Sequence, residues 1–167
     1  MTRSAPSDED WIARAIALAV SEKGSDPANT PIAALVVLDG ALVAQGVNRT
    51  AECCDATAHA EIEALRAAGR AVGDMQVRGA TLYSTLQPCG MCTMAAIWAG
   101  VERIVFGAGR DDVHRMYFED RHLDTVDFIR DAFKRDLTLT GGVLAADCAR
   151  LYYAPGDCVP EEDQANT

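Results

Sequence analysis

The apolar residues Trp11, Ile12, Ala15, Ile16 and Ala19 recur at the spacing of one helix face, and Asp8 or Asp10 is placed to cap that helix, which closes near Gly24. The pattern then becomes a continuous apolar run. Pro31 opens a predicted strand at 32–38, Asp39-Gly40 carries a strong two-residue hairpin signal, and 41–47 returns as a second strand. Residues 48–55 read as a loop, and Thr57 is placed to cap a helix that Gly69 stops. A β-rich stretch follows at 79–86, Pro88 suits the first residue of a helix ended by Gly100, and 101–106 is the next strand. Beyond an irregular acidic stretch, the spacing predicts a helix over 123–134, a short strand over 137–140 and a last helix over 143–152. Strands and helices in this order predict an α/β fold, a mixed five-stranded sheet between two helical layers.

The chain of 167 residues is long enough for one domain with a substantial core, and 49% hydrophobic against 24% charged residues excludes a disordered or coiled-coil protein. The domain is expected over 1–154, with an acidic, solvated tail over 155–167. Twenty-five acidic against 15 basic residues leave a net charge of -10, a long-range field that repels polyanions. A nucleic-acid partner is therefore not expected without a local basic patch. Residues 143–167 contain a single basic residue, Arg150. The longest apolar run, 32–38, is far shorter than the ~20 residues of a membrane-spanning helix, and the polar start of the chain does not resemble a signal peptide. These features predict a cytoplasmic protein with no membrane partner. In that compartment the six cysteines are read first as metal ligands, catalytic groups or small core residues.

Two segments concentrate the chemistry, Thr57-Ala58-His59-Ala60-Glu61 and Gln87-Pro88-Cys89-Gly90-Met91-Cys92, each at a predicted helix start. Cys89 and Cys92 stand three apart, so their sulfurs share one face of a first helical turn, where free N–H groups and the helix dipole favour the thiolate that binds metal. Two thiolates and an imidazole suit zinc. A closed structural zinc site needs a fourth protein ligand, and the other cysteines, adjacent Cys53-Cys54 and distant Cys148 and Cys158, are poorly spaced for one. A thioredoxin-like redox pair would leave the His-x-Glu unexplained. Three ligands with an open fourth position make a catalytic site, where zinc lowers the pKa of water from about 15.7 to about 7. Glu61 then suits a general acid and base, although on an ideal helix positions two apart point in nearly opposite directions.

His59-Ala60-Glu61 followed by Pro88-Cys89-Gly90-Met91-Cys92 resembles the signature of the cytidine deaminase superfamily. Pro31-Ile32-Ala33-Ala34, Asn48, Thr85-Leu86-Gln87-Pro88-Cys89 and Ile104-Val105-Phe106-Gly107-Ala108 are similar to its branch of tRNA adenosine, guanine, cytosine and triazine-acting deaminases. The resemblance implies a cytidine deaminase-like fold, Zn2+ held by His59, Cys89 and Cys92, and hydrolytic replacement of an exocyclic amine by oxygen, with Glu61 moving the protons. It implies that Asn48 and the Ala60 backbone contact the substrate ring, and that the protein is a homodimer. Gln87 departs from the glutamate many relatives carry before Pro-Cys. Candidate pocket walls are Trp98, Tyr117 and Phe118, and Asp112 or Glu119 is placed to accept a ring N–H or amine; core packing and helix capping are the competing roles. His114 and His122 read as surface residues. The expected substrate is a small heteroaromatic of guanine or s-triazine type, ahead of cytosine. The alternatives are a tRNA adenosine deaminase and a non-catalytic zinc-stabilised binding domain.

Overall fold

The computed structural model describes residues 5–22, 31–118 and 137–160. Helix α1 (Asp8–Glu22) buries Trp11, Ile12, Ala15 and Ala19, the face expected from their spacing. Its cap is Ser7 rather than Asp8 or Asp10. The Ser7 hydroxyl accepts the Asp10 N–H at 3.2 Å while the Asp10 carboxylate accepts the Ser7 N–H at 2.8 Å, a reciprocal pair that satisfies two free donors.

Strands β1 (Ala33–Leu38) and β2 (Ala41–Val47) form the expected hairpin, with Asp39 and Gly40 both at positive φ, the geometry that matches strand twist in a two-residue turn. The expected loop over 48–55 contains one helical turn, α2 (Thr50–Cys53). Helix α3 (Ala60–Val72) runs past Gly69 to Gly73, whose left-handed backbone ends the helix, the Gly73 and Asp74 N–H groups both bonding back to the Gly69 carbonyl. Strand β3 (Thr81–Leu86), helix α4 (Gly90–Trp98) and strand β4 (Arg103–Ala108) form a parallel crossover unit. Strand β5 (Thr138–Thr140) pairs parallel to β4, and the last helix, α5 (Ala145–Ala149), is shorter than the 143–152 expected. The helix expected at 123–134 lies outside the described residues.

The sheet order is β2-β1-β3-β4-β5, antiparallel at its first two pairings and parallel at its last two. Alternation along β1 sends Leu35 and Val37 into one core, with Trp11, Ile12, Tyr83, Val105, Cys148 and Tyr152, and Ala34 and Val36 into another, with Ala64, Leu65, Leu82, Ala96 and Ile104. Helices α1 and α5 cover the first face, and α3 and α4 the second. The fold is the three-layer sandwich that the pattern implied. Val159 is buried, which anchors the segment after Pro155 at that point.

Two close approaches set the layers. At Gly46 a Cβ would collide with the Ala64 N and the Ala60 carbonyl oxygen, so a side chain there would push α3 off the sheet. At Gly107 it would collide with Cys148, whose thiol burial pushes up to about 11 and which serves as packing. On the face covered by α1 and α5, Arg103 donates to both oxygens of Asp8 at 2.7 and 2.5 Å, and the Tyr83 hydroxyl donates to the same carboxylate at 2.9 Å.

Two outcomes follow from these contacts. G46A lowers stability by about 1–3 kcal/mol in urea unfolding, as overpacking does. D8N costs about 1 kcal/mol at pH 7 through the lost charged hydrogen bonds. The Arg103 guanidinium holds Asp8 below its usual 3.8, so its stabilisation is complete above that value and disappears as pH falls through the lower, folded-state value. Wild type and D8N therefore converge in stability in strong acid, as measured by unfolding midpoints across pH.

Candidate metal centre and active site

The two motif segments meet because each helix starts at a metal-type donor. His59 is the N-cap of α3 and Cys89 the N-cap of α4, both with extended backbone (φ −67°, ψ 155° and φ −71°, ψ 174°). Neither Thr57 nor Pro88 occupies the position expected of it. The Thr57 N–H and hydroxyl both donate to the Asp55 carboxylate, at 2.8 and 2.7 Å, which shapes the turn leading to His59. Pro88 precedes the cap and sets the direction of entry from β3.

Nδ1 of His59 lies 3.8 Å from Sγ of Cys89 and 3.6 Å from Sγ of Cys92. Among the described residues these three form a group whose ligand atoms all lie within 4.8 Å of one another. A zinc ion with nitrogen at about 2.0 Å and sulfur at about 2.3 Å in tetrahedral geometry separates N from S by roughly 3.5 Å, so the donor set fits the ion. The electrostatics fit as well. Hydrogen bonding from Cys92, and then from His59, outweighs burial and holds the Cys89 thiol down at about 4. Cys92, sharing that hydrogen bond and fully buried, is pushed up. Negative charge is therefore favoured on Cys89 over Cys92, and a bound cation displaces the protons that the thiols still hold. Two helix N-termini face the cluster and favour the negative sulfur.

Glu61 is buried beside the cluster, 4% exposed. Its Oε1 accepts the Ser84 hydroxyl at 2.9 Å and its Oε2 the Cys92 thiol at 3.5 Å. The objection that positions two apart diverge on a helix does not apply, because His59 is an extended cap and only Glu61 is helical. Burial raises the Glu61 carboxyl above its usual 4.5, and the Cys89 charge adds to the rise.

Asn48 is buried at the end of β2; its N–H donates to the Ile32 carbonyl at 3.0 Å and its amide to the Thr50 hydroxyl at 3.2 Å. Ala60 is fully buried in the first turn of α3. Trp98 is 67% exposed at the far end of α4, roughly 13 Å of helix rise from Cys89, so the chain by itself does not bring it to the metal ligands. Phe118 packs in the core that holds Val113 and Tyr152, with the Arg110 guanidinium 5.2 Å from its ring. The Asp112 carboxylate accepts the Gly109 N–H at 2.8 Å, the capping role. It also lines an open cleft of about 600 Å³ with Gln87, Arg110 and Gly141. Glu119 and His122 lie outside the described residues, and His114 Nδ1 accepts the Met116 N–H.

Sequence reading missed Ser84, and missed the buried hydroxyl pair of Thr85 and Tyr152, 2.7 Å apart. The available signal was a pair of hydroxyl residues near the end of an otherwise apolar strand that leads straight into Pro-Cys.

A tRNA-specific adenosine deaminase of Buchnera aphidicola subsp. Schizaphis graminum is 33% identical over 144 residues, spanning 86% of this chain and 90% of that protein. A tRNA-specific adenosine deaminase of Agrobacterium fabrum is 43% identical over 93 residues, and the match spans 61% of its length and 56% of this chain. The solved guanine deaminase from Nitrosomonas europaea superposes with a TM-score of 0.76 at 28% identity, over 89% of this chain and 84% of that one. Residues 6–108 match the family model of the cytidine and deoxycytidylate deaminase zinc-binding region, a match that ends with β4, the strand following α4. The chain therefore belongs to that family, the zinc-type deaminases of the cytidine deaminase superfamily.

Proposed function

We propose that this deaminase hydrolyses the exocyclic amine of a small, nucleobase-like heteroaromatic, guanine or an amino-triazine ahead of cytosine, with release of ammonia. The observation that carries the reading is the buried Glu61 carboxylate held between Ser84 and the three metal-type donors. His59, Cys89 and Cys92 would hold the zinc, which when bound supplies the activation of water for attack on the amine-bearing ring carbon. Glu61 accepts the water's proton at Oε2, passes it to a ring nitrogen, and serves the departing amine in the same way. Its raised proton affinity suits a group that must both take and return a proton. Asn48 and the Ala60 backbone border the ring, and the cleft beside Gln87 and Asp112 offers a wall.

A net charge of -10 supports a small substrate over an anticodon loop, whose phosphates would draw much of their affinity from lysine and arginine. The likeness to the Nitrosomonas europaea guanine deaminase supports the same choice. The second reading, a tRNA adenosine deaminase, is favoured by the Buchnera relative, which matches over nearly its whole length. Met91 and Trp98, seven apart and exposed on α4, give a second copy of the chain an apolar face to cover, in keeping with a homodimer. No helix among the described residues is long and apolar enough to cross a membrane. The unpaired state of all six cysteines accords with a cytoplasmic protein.

Zinc-loaded protein is expected to release ammonia from guanine or an amino-triazine faster than from cytosine or adenosine; inosine formation in an anticodon stem-loop, with no response to free bases, selects the second reading. E61Q is expected to keep its zinc and fold while kcat falls by about 10²- to 10⁴-fold. H59A and C89A are expected to lose the metal as well, measured by elemental analysis, whereas C148S retains it. Equal turnover by wild type and E61Q would remove the proton-transfer role.

A further inference from the structure

We infer that Ser84 is a positioning residue for the reaction: its hydroxyl pins Oε1 of Glu61 and so leaves Oε2, on the side of the metal ligands, as the oxygen that carries the proton. This rests on the role given to Glu61 above.

Ser84 occupies a position that packing alone would fill with an apolar side chain. It has no exposed surface, and in the sheet it lies opposite Ala34 of β1 and Phe106 of β4, with Leu82 on the same face of its own strand. A buried hydroxyl costs free energy unless it is hydrogen-bonded. Its partner here is Oε1 of Glu61 at 2.9 Å.

The consequence concerns the symmetry of a carboxylate. The terminal torsion of a glutamate is broad and two-fold, so nothing in the side chain distinguishes one oxygen from the other. Ser84 breaks that equivalence. Its one hydroxyl hydrogen points at Oε1, and a proton arriving there would meet it head-on. A proton arriving at Oε2 leaves the serine bond intact, and the other hydrogen aimed at that oxygen, from the Cys92 thiol 3.5 Å away, is the one a bound cation displaces. The pin also gives carboxylate and sulfurs a common reference. Ser84 sits on a central strand, five residues before Cys89, in the same segment that starts α4. The proton-carrying oxygen is thereby held in register with the thiolates by covalent connection through β3, not only by helix α3. Such fixing of a reacting group through a rigid element is what keeps an approach distance short.

The test uses zinc-loaded S84A, S84T and S84V with guanine as the probe. Threonine keeps the hydroxyl donor, and valine reproduces threonine's shape without it. S84A and S84V are expected to lose about 10- to 100-fold in kcat, the effect of removing one hydrogen bond to a charged group, with KM changed by less than about threefold and zinc content unchanged. S84T is expected to return to within about threefold of wild type on the same grounds. Wild-type kcat in S84A, or equal rates in S84T and S84V, would overturn the assignment. A substrate-free measurement separates this from the substrate question. In zinc-loaded protein labelled with carboxyl-¹³C glutamate, the Glu61 resonance, identified by its absence from E61Q, is expected to move in S84A and S84V and to return in S84T. A resonance unmoved by S84A overturns the pin even if guanine is turned over. Absence of guanine turnover with the resonance shifted retains the pin and rejects only the substrate.

Discussion

One imidazole nitrogen and two sulfurs must meet within 4.8 Å although the histidine lies 30 and 33 positions from the cysteines, and the rest of the fold serves that encounter. The sheet brings it about. Strand β3 delivers Cys89 at its carboxyl end, the β1–β2 hairpin seats α3 against the same face, and Gly46 lets the helix backbone lie directly on β2. Because β1, β3 and β4 are buried on both sides, the two helix starts are referenced to a close-packed interior and not to mobile loops.

The same arrangement carries an electrostatic burden. The buried Glu61 carboxyl lies 3.5 Å from the buried Cys92 sulfur, beside the partly buried Cys89, and burial makes the charged form of each expensive. The chain disperses the burden unevenly. Cys89 takes the negative charge, where His59 and the helix N-termini support it, while Cys92 and Glu61 are driven toward their protonated forms. A site of this kind is suited to trade protons for a cation, and it holds a carboxyl whose proton affinity burial raises above that of an exposed glutamate. Polar groups elsewhere in the core are answered locally: Thr85 with Tyr152, and Tyr83 and Arg103 with Asp8.

Competition between local roles explains where sequence and structure part. Thr57 and Pro88 are good helix-start residues, yet the helices begin two residues later, because the backbone must stay extended at His59 and Cys89 for their side chains to turn toward each other. Thr57 is drawn instead into the Asp55 turn. Asp112 caps a turn and Phe118 joins the core, the ordinary roles for those residue types, and Trp98 ends on the surface because α4 is apolar on more than one face and only part of it meets the sheet.

Period, turn chemistry and donor spacing are properties of neighbouring residues, and by themselves they determined the hairpin at Asp39-Gly40, the alternation of helix and strand, the two-layered cover of the sheet and His59, Cys89 and Cys92 as a potential zinc site. What only the tertiary structure decided is how distant segments register: that Ser84, one hydroxyl in an apolar strand, lies under Glu61; that Asp8 reaches Arg103 across the first layer; and that Trp98 faces outward. Each of these depends on the packing offset between elements whose local sequences carry no record of one another, so side-chain partners across layers appear only once the layers are stacked.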